Sequence, residues 1–500
     1  ILCMMVEVVD AKSSQLEHKV PLCSAYIQAK GRPCRFQAAP GCEYCYSHRT
    51  EIGEQRRVPC PFDPRHFVHE AQLQRHLTRC PSRLHKEQTS NLPFFKEGCN
   101  LPSPAGEESS PVRMTTLADE DLDYWEQLID AAFGAALARL FPESAGQEHR
   151  VRQCAKLLQP RICEETKSVQ PQWWHGVRRR IEADGSLADG KHSLQLEQIL
   201  LRCIDAGLLA DPGRTCVLEY GSGKGRMSRW FALAAAEQGY GSPSFVLVER
   251  GANRIKAENR MDVRGAADRV LRLRMDLADF DLPMLLQPLS PRSEVTSSTS
   301  SKSGRVGGCV ENVLTGEESG SNLDRHESSS RANDSRLPAE RLHNSHRLAD
   351  ALRAGTDWPP SLTIVCAKHL CGAGTDLALR SLAKAMGAST AQHATGRLDF
   401  ATVLAPCCHH LCEWRLYVNK ALLQEIFPNA REAFAVLLAV APWATEAQCS
   451  KGAEDDAARS RRDRRRILGV KAKRVLDVGR ALWLRESLGF KNVDLSVYTD

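Results

Sequence analysis

Apolar positions along this 500-residue chain recur at two different periods, and the change of period divides it. Over residues 117–141, Leu122, Trp125, Leu128, Ile129, Phe133, Leu137 and Leu140 return every three or four places, the spacing of one helix face. The same period returns over 192–209 with Leu194, Ile199, Leu200 and Ile204. From Cys216 onward the pattern changes to short apolar runs at 215–219, 245–249, 270–275, 362–366 and 399–404, with helical stretches between them. This alternation predicts a mostly parallel α/β sheet. Residues 493–498 alternate with period two and predict a further strand closing the sheet edge. One stretch breaks the rhythm: residues 287–345 hold 14 serines and few large apolar side chains. They bury too little surface to offset ordering entropy and read as a disordered insertion after the third strand.

Composition narrows the class without choosing a function. Hydrophobic residues at 42% and charged residues at 26% suit a globular chain with a sizeable core. A net charge of +6 is compatible with a nucleic-acid partner and equally with any basic enzyme. No apolar run approaches the roughly 20 residues of a membrane span, so no membrane partner is expected. Residues 1–9 carry Glu7 and no basic leader, unlike a secretory signal. An intracellular, reducing setting, nucleus or cytoplasm, is expected. The 19 cysteines there read as metal ligands, core residues or catalytic groups before disulfides. The run 459–480 holds ten Lys/Arg against two Asp, enough to track phosphates or simply to solvate a helix face.

Six of the cysteines crowd into residues 23–80. Cys23, Cys34, Cys45 and His48 form a first set, with two ten-residue gaps and then one of two. Three thiolates and an imidazole close a tetrahedral structural Zn²⁺ site, and a short segment poor in large apolar residues needs such a staple. Cys42 is a spare thiol that could replace Cys45. Cys60, His66, His76 and Cys80 form a second set, with His69 as a competing ligand. His76 and Cys80 stand four apart, on one face of a helix predicted over 70–79.

The strongest cofactor signal is Glu219-Tyr220-Gly221-Ser222-Gly223-Lys224-Gly225, a strand end running into three alternating glycines and then a helix. Small residues at this turn let the backbone approach a ligand. The G-x-G-x-G spacing favours S-adenosylmethionine over a dinucleotide, whose loop is G-x-G-x-x-G. Glu219 is placed to hold the methionyl part, Glu249 at the next strand end to accept from the ribose hydroxyls, and Asp276 after the third strand to contact the adenine amine. Two further loops lie beyond strand ends, Cys366–Asp376 and Ala405–Trp414. Methyl transfer to a hydroxyl needs an aligned nucleophile and a base. Lys368, His369, His409 and His410 are the available catalytic bases, some of them equally readable as hydrogen-bonded loop anchors. A lysine desolvated beside a sulfonium would have a lowered pKa. Cys407, Cys408, His409, His410 and Cys412 offer an alternative metal site, though adjacent ligands chelate poorly.

Together these motifs resemble the eukaryotic tRNA 2′-O-methyltransferases that modify nucleotide 4 of the acceptor stem. The resemblance rests on both cysteine–histidine segments, the Glu219–Gly225 loop, Lys368-His369-Leu370-Cys371-Gly372, Cys407-Cys408-His409-His410 and the ending Gly479-Arg480 with Trp483-Leu484, in that order. It implies a Rossmann-like class I S-adenosylmethionine-dependent methyltransferase domain preceded by two small zinc fingers. It also implies cofactor contacts from Glu219, Gly221, Gly223 and Gly225, and the tRNA acceptor stem as partner. The organisation expected is a CCCH finger at 18–52, a CHHC finger at 56–84, a linker at 85–116 and the methyltransferase domain at 117–500. A methyltransferase for another acceptor, or a finger protein that only binds RNA, are the competing readings.

Overall fold

The computed structural model divides into two units, residues 1–88 and residues 89–500; short hairpins and two helices are described in the first. The structure describes residues 22–24, 26–27, 32–34, 37–38, 41–45, 57–103, 119–141, 173–183, 190–239, 241–251, 269–287, 358–370, 372–391, 398–446 and 456–495. In the first unit β1 (Tyr26–Ile27) pairs antiparallel with β2 (Arg32–Pro33), and β3 (Arg57–Cys60) with β4 (Asp63–His69). The helix predicted over 70–79 begins with a 3-10 turn, Glu70–Gln72, and continues as α1 (Leu73–Arg79); α2 (Pro81–Ser90) follows. The only buried side chains among its described residues are Cys23, Cys34, Ala38, Cys45, Cys60 and Cys80. A core made of thiols cannot hold two hairpins by hydrophobic burial alone.

The second unit opens with α3 (Asp119–Leu140), α4 (Trp174–Ala183) and α5 (Gly190–Asp205). The alternating part follows as β5 (Thr215–Tyr220), α6 (Arg226–Glu237), β6 (Ser244–Val248), β7 (Val270–Leu273), α7 (Leu282–Leu286), β8 (Leu362–Lys368), α8 (Ala373–Ala391) and β9 (Asp399–Ala405). Last come α9 (Lys420–Ile426), α10 (Ala430–Val440), α11 (Trp443–Glu446) and α12 (Asp456–Leu488). All five strands from β5 to β9 are parallel, in the order β7-β6-β5-β8-β9. Every apolar run from Cys216 onward therefore becomes a strand, within a residue or two of its predicted ends. The central strand is buried on both faces, so it reads as a continuous apolar run. Cys216, Leu218 and Tyr220 pack with α7 and α8, while Val217 packs with α4, α5 and α6. Strand order reverses at β5, so loops leaving β5 and β8 diverge and open a crevice at their carboxyl ends. A third core joins α3, α9, α10 and α12 through Ile129, Leu423, Phe434, Leu437 and Val475.

Two expectations change. Residues 85–90 of the expected linker are helical, and 92–101 fold onto the second unit. Phe94 is fully buried, its ring 6.5 Å from that of Phe280, and Asn100 Nδ2 donates to the carbonyls of Leu277 (2.7 Å) and Phe280 (2.8 Å). The polar composition of the segment hid two phenylalanines with a site to fill. Residues 493–495, read as the start of an edge strand, carry no strand. Residues 496–500 and the insertion from 288 onward lie outside the described residues, as do 104–116 of the linker. No helix among the described residues is long and apolar enough to cross a membrane.

Candidate active site and zinc clusters

The sulfur atoms of Cys23, Cys34 and Cys45 lie within 4.8 Å of one another, and Cys34 Sγ is 3.9 Å from Cys45 Sγ. Thiolates on a tetrahedral Zn²⁺, each at about 2.3 Å, stand roughly 3.8 Å apart, so this spacing fits the ion. Cys42 stays outside the group and half-buried, which selects Cys45. His48 lies outside the described residues. Cys60, His76 and Cys80 converge in the same way, with Cys60 Sγ 3.5 Å from Cys80 Sγ and 3.3 Å from His76 Nε2. His69 is not in this group; His66 stands on β4, and its side chain lies outside the described residues. Cys80 sits just past the end of α1 in extended conformation, not on the helix face expected for it. Burial alone would raise its thiol pKa, but hydrogen bonds from the Arg83 backbone, Cys60 and the start of α2 together lower it below the ordinary value. A thiolate is the form a metal takes. None of the cysteines among the described residues is in a disulfide.

The glycine loop takes the shape its spacing requires. Gly221, Gly223 and Gly225 all have positive φ (61°, 51° and 74°), a region that excludes most side chains. Glu219, at the end of β5, is buried, and its Oε2 accepts from Ser228 N (2.9 Å) and Oγ (2.5 Å) in the first turn of α6. One of its oxygens thus fixes the helix start. Glu249 spans the loop: Oε2 accepts from Gly223 N at 2.9 Å and Oε1 from Gly251 N at 2.6 Å. Each oxygen keeps a second lone pair for a hydroxyl donor. Asp276 Oδ1 accepts from Ala278 N at 3.0 Å, and Oδ2 lies 3.4 Å from Arg250. Arg272 on β7 was not foreseen; its guanidinium donates to Ser222 Oγ (3.2 Å) and Gly223 O (3.1 Å), bracing the loop from below.

The two chemistry-rich loops abut this one. A Cβ on Gly221 would stand 2.8 Å from Leu370 Cδ1, and one on Gly372 2.1 Å from the carbonyl oxygen of Leu411. Leu370 therefore links the glycine loop to the end of β8, and Gly372 links that end to the loop after β9. Gly372 also has φ +61°, so Gly372→Ala meets both strain and a backbone clash. We expect it to destabilise the second unit by more than about 1 kcal/mol, read as a lower urea midpoint; an unchanged midpoint would contradict the packing.

The four candidate bases separate. Lys368, half-buried, ends β8, and its Nζ lies 2.8 Å from Nε2 of exposed His369. His369 is the only non-glycine among the described residues with positive φ, at 61°. Strain of this kind concentrates at functional sites. His410 is largely exposed, but partial burial of its ring, with the charges of Lys473 and His409, lowers its pKa and favours the neutral form. His409 is buried, and its Nε2 contacts Asp477 Oδ1 of α12 at 2.8 Å, which makes it a loop anchor. Cys407 and Cys408 lie 3.4 Å apart, but Cys412 accepts from Arg480 at 3.1 Å. No three ligands of this loop converge, and the alternative metal site is withdrawn.

The basic run also changes meaning. Arg464 pairs with Asp123 and Glu126 of α3, and Lys471 with Asp130 at 2.5 Å. Arg480 is buried against Asp376 and cannot reach a phosphate. Asp477 is buried, which would raise its pKa, yet His409, Arg480 and Arg474 together hold its carboxyl below the ordinary range. A depressed carboxyl contributes stability that is present above its unfolded value near pH 4 and lost as pH falls through its folded value. Asp477→Asn should therefore be less stable than the parent at neutral pH, with the difference shrinking toward acid. Denaturant titrations across that range check it; a pH-independent difference would remove the charge argument.

The family comparison fits this geometry. A family model described as "Methyltransferase TRM13" matches residues 195–300 and 350–500, more than half of the chain. The chain belongs to the TRM13 methyltransferase family. Two smaller models cover its fingers: a CCCH zinc finger of TRM13 proteins at 21–49 and a CHHC zinc finger like that of U11-48K at 57–81. Relatives named tRNA:m(4)X modification enzyme TRM13 include one from Eremothecium gossypii, 25% identical over 96% of this chain and 91% of its own. Another from Vanderwaltozyma polyspora is 22% identical over 93% and 91%, and the human homologue 23% over 85% and 74%. No solved structure matches the chain. As a TRM13 methyltransferase it uses S-adenosylmethionine, and its two cysteine–histidine groups are zinc sites.

Proposed function

We propose that this chain methylates the ribose 2′-oxygen of nucleotide 4 in the tRNA acceptor stem. The observation that carries the reading is the Lys368–His369 pair set against the cofactor loop through Leu370. The relatives' shared name, a tRNA modification enzyme, supplies the substrate class. Bound S-adenosylmethionine supplies an electrophilic methyl group. Gly221, Gly223 and Gly225, with their positive φ, would let the backbone approach it; Glu219 and Glu249, which brace this loop, would face its amino acid and ribose, and Asp276 would meet the adenine amine. Lys368 Nζ takes the proton of the attacking 2′-hydroxyl, with His369 Nε2 fixing its position and His410 as the neutral alternative. Zinc on Cys23, Cys34, Cys45 and His48, and on Cys60, His66, His76 and Cys80, holds fingers at 18–52 and 56–84 that present the RNA-facing surface; residues 117–500 carry the chemistry. A tRNA substrate places the protein in nucleus or cytoplasm.

Labelled methyl transfer to total tRNA, followed by nuclease mapping, tests this. Label recovered as 2′-O-methyl ribose at nucleotide 4 is the expected outcome. Label on a base, or on protein, would move the assignment to another acceptor.

A further inference from the structure

One buried side-chain cluster holds the loops after β8 and β9, and its central pair lies on α12, outside both loops. Asp477 and Arg480 stand three apart on α12, on one face, each 5% exposed. Asp477 Oδ1 meets His409 Nε2 at 2.8 Å and Arg480 Nη1 at 3.3 Å. On its other side Arg480 donates to both oxygens of Asp376, Nη2 to Oδ2 at 2.7 Å and Nε to Oδ1 at 3.2 Å, and Nη2 also reaches Cys412 Sγ at 3.1 Å. Asp376, fully buried in the first turn of α8, accepts in addition from Val418 N at 3.3 Å. Arg474 completes the shell, 3.5 Å from Asp477 Oδ2.

The cluster bridges three elements. Asp376 belongs to the segment that leaves β8 through Lys368 and His369; His409 and Cys412 belong to the loop after β9; Asp477 and Arg480 belong to α12. Buried charge pairs contribute little net stability against apolar groups of the same volume, and a registry role is their best-attested use. A two-pronged guanidinium–carboxylate contact fixes angle as well as distance. The Gly372–Leu411 contact shows that the two loops touch with no slack.

We propose that Asp477 and Arg480 are positioning residues for methyl transfer: through Asp376 and His409 they set the register of the Lys368 loop against the loop after β9. This rests on the methyl-transfer reading above. The full chain is assayed as parent, Asp477→Asn and Arg480→Lys, with single-turnover rates normalised to the fraction that binds S-adenosylmethionine, so that unfolded molecules do not count. Arg480→Lys keeps the charge and loses the fork. Displacement by about 1 Å costs on the order of 10²-fold in rate, so a normalised loss of at least roughly tenfold is expected in both variants, with cofactor affinity within about twofold of the parent. Rates near the parent's overturn the proposal. So does loss of cofactor binding in both variants, which would make the cluster a folding element only. An inactive parent overturns the methyl-transfer reading itself and, with it, this one.

Discussion

Replacing Lys368 with methionine should slow single-turnover methyl transfer by about 10²–10⁴-fold, the range a positioned general base contributes. Methionine keeps the length and removes the proton acceptor. Cofactor affinity should hold, because the groups that shape the glycine loop are Glu219, Glu249 and Arg272 with their partners Ser228, Gly223 and Gly251, on β5, β7, the loops after β5 and β6 and the start of α6. The companion substitution His369→Asn removes the imidazole partner without backbone strain, since asparagine tolerates left-handed φ. It should fall between the parent and Lys368→Met. Rates are read by rapid quench with labelled S-adenosylmethionine and affinity by calorimetry. A Lys368→Met rate within a few-fold of the parent would reassign the base, and His410 is the next group to remove.

The second large effect is on the fingers. Their described buried residues are five thiols and one alanine, so the ion is the core. Structural zinc supplies on the order of 10–16 kcal/mol to such folds. Chelation should therefore unfold residues 1–88, seen as loss of amide-exchange protection there, while residues 89–500 keep their protection and cofactor binding. Metal analysis should find two zinc ions per chain, and one after Cys80→Ser, which removes a thiolate from the second group. A chelated chain with unchanged protection over 57–90 would mean that the hairpin and helices hold without metal. Loss of methylation with cofactor affinity intact would put the fingers in tRNA binding.

Much of this architecture is legible because it is local. Strand runs such as Val217–Tyr220 announce themselves by burial on both faces, and glycine spacing announces a turn that side chains would block. Cysteine and histidine spacing likewise announces a tetrahedral site and picks Cys45, and the fold removes Cys42 as its substitute. Other features resisted. Phe94 and Asn100 sit in a stretch whose prolines and serines dominate its composition, and their partners at 277–280 are distant in sequence. Arg480 looks like one more cation in a basic run; only the apolar neighbours Val475, Leu476, Val478, Ala481 and Leu482 hint that it is inside.

By itself the sequence determined the five strands of the parallel sheet, the glycine loop, the metal-ligand types and, through its motifs, the family. These follow from periodicities and spacings within a few turns of chain. Tertiary structure alone decided that His409 is an anchor, that Lys368 faces His369 beside the glycine loop, and that Asp376, Asp477 and Arg480 bind two loops to one helix. Those facts depend on which charges are taken out of water together, and residues 104 positions apart carry no local mark of sharing a buried pair.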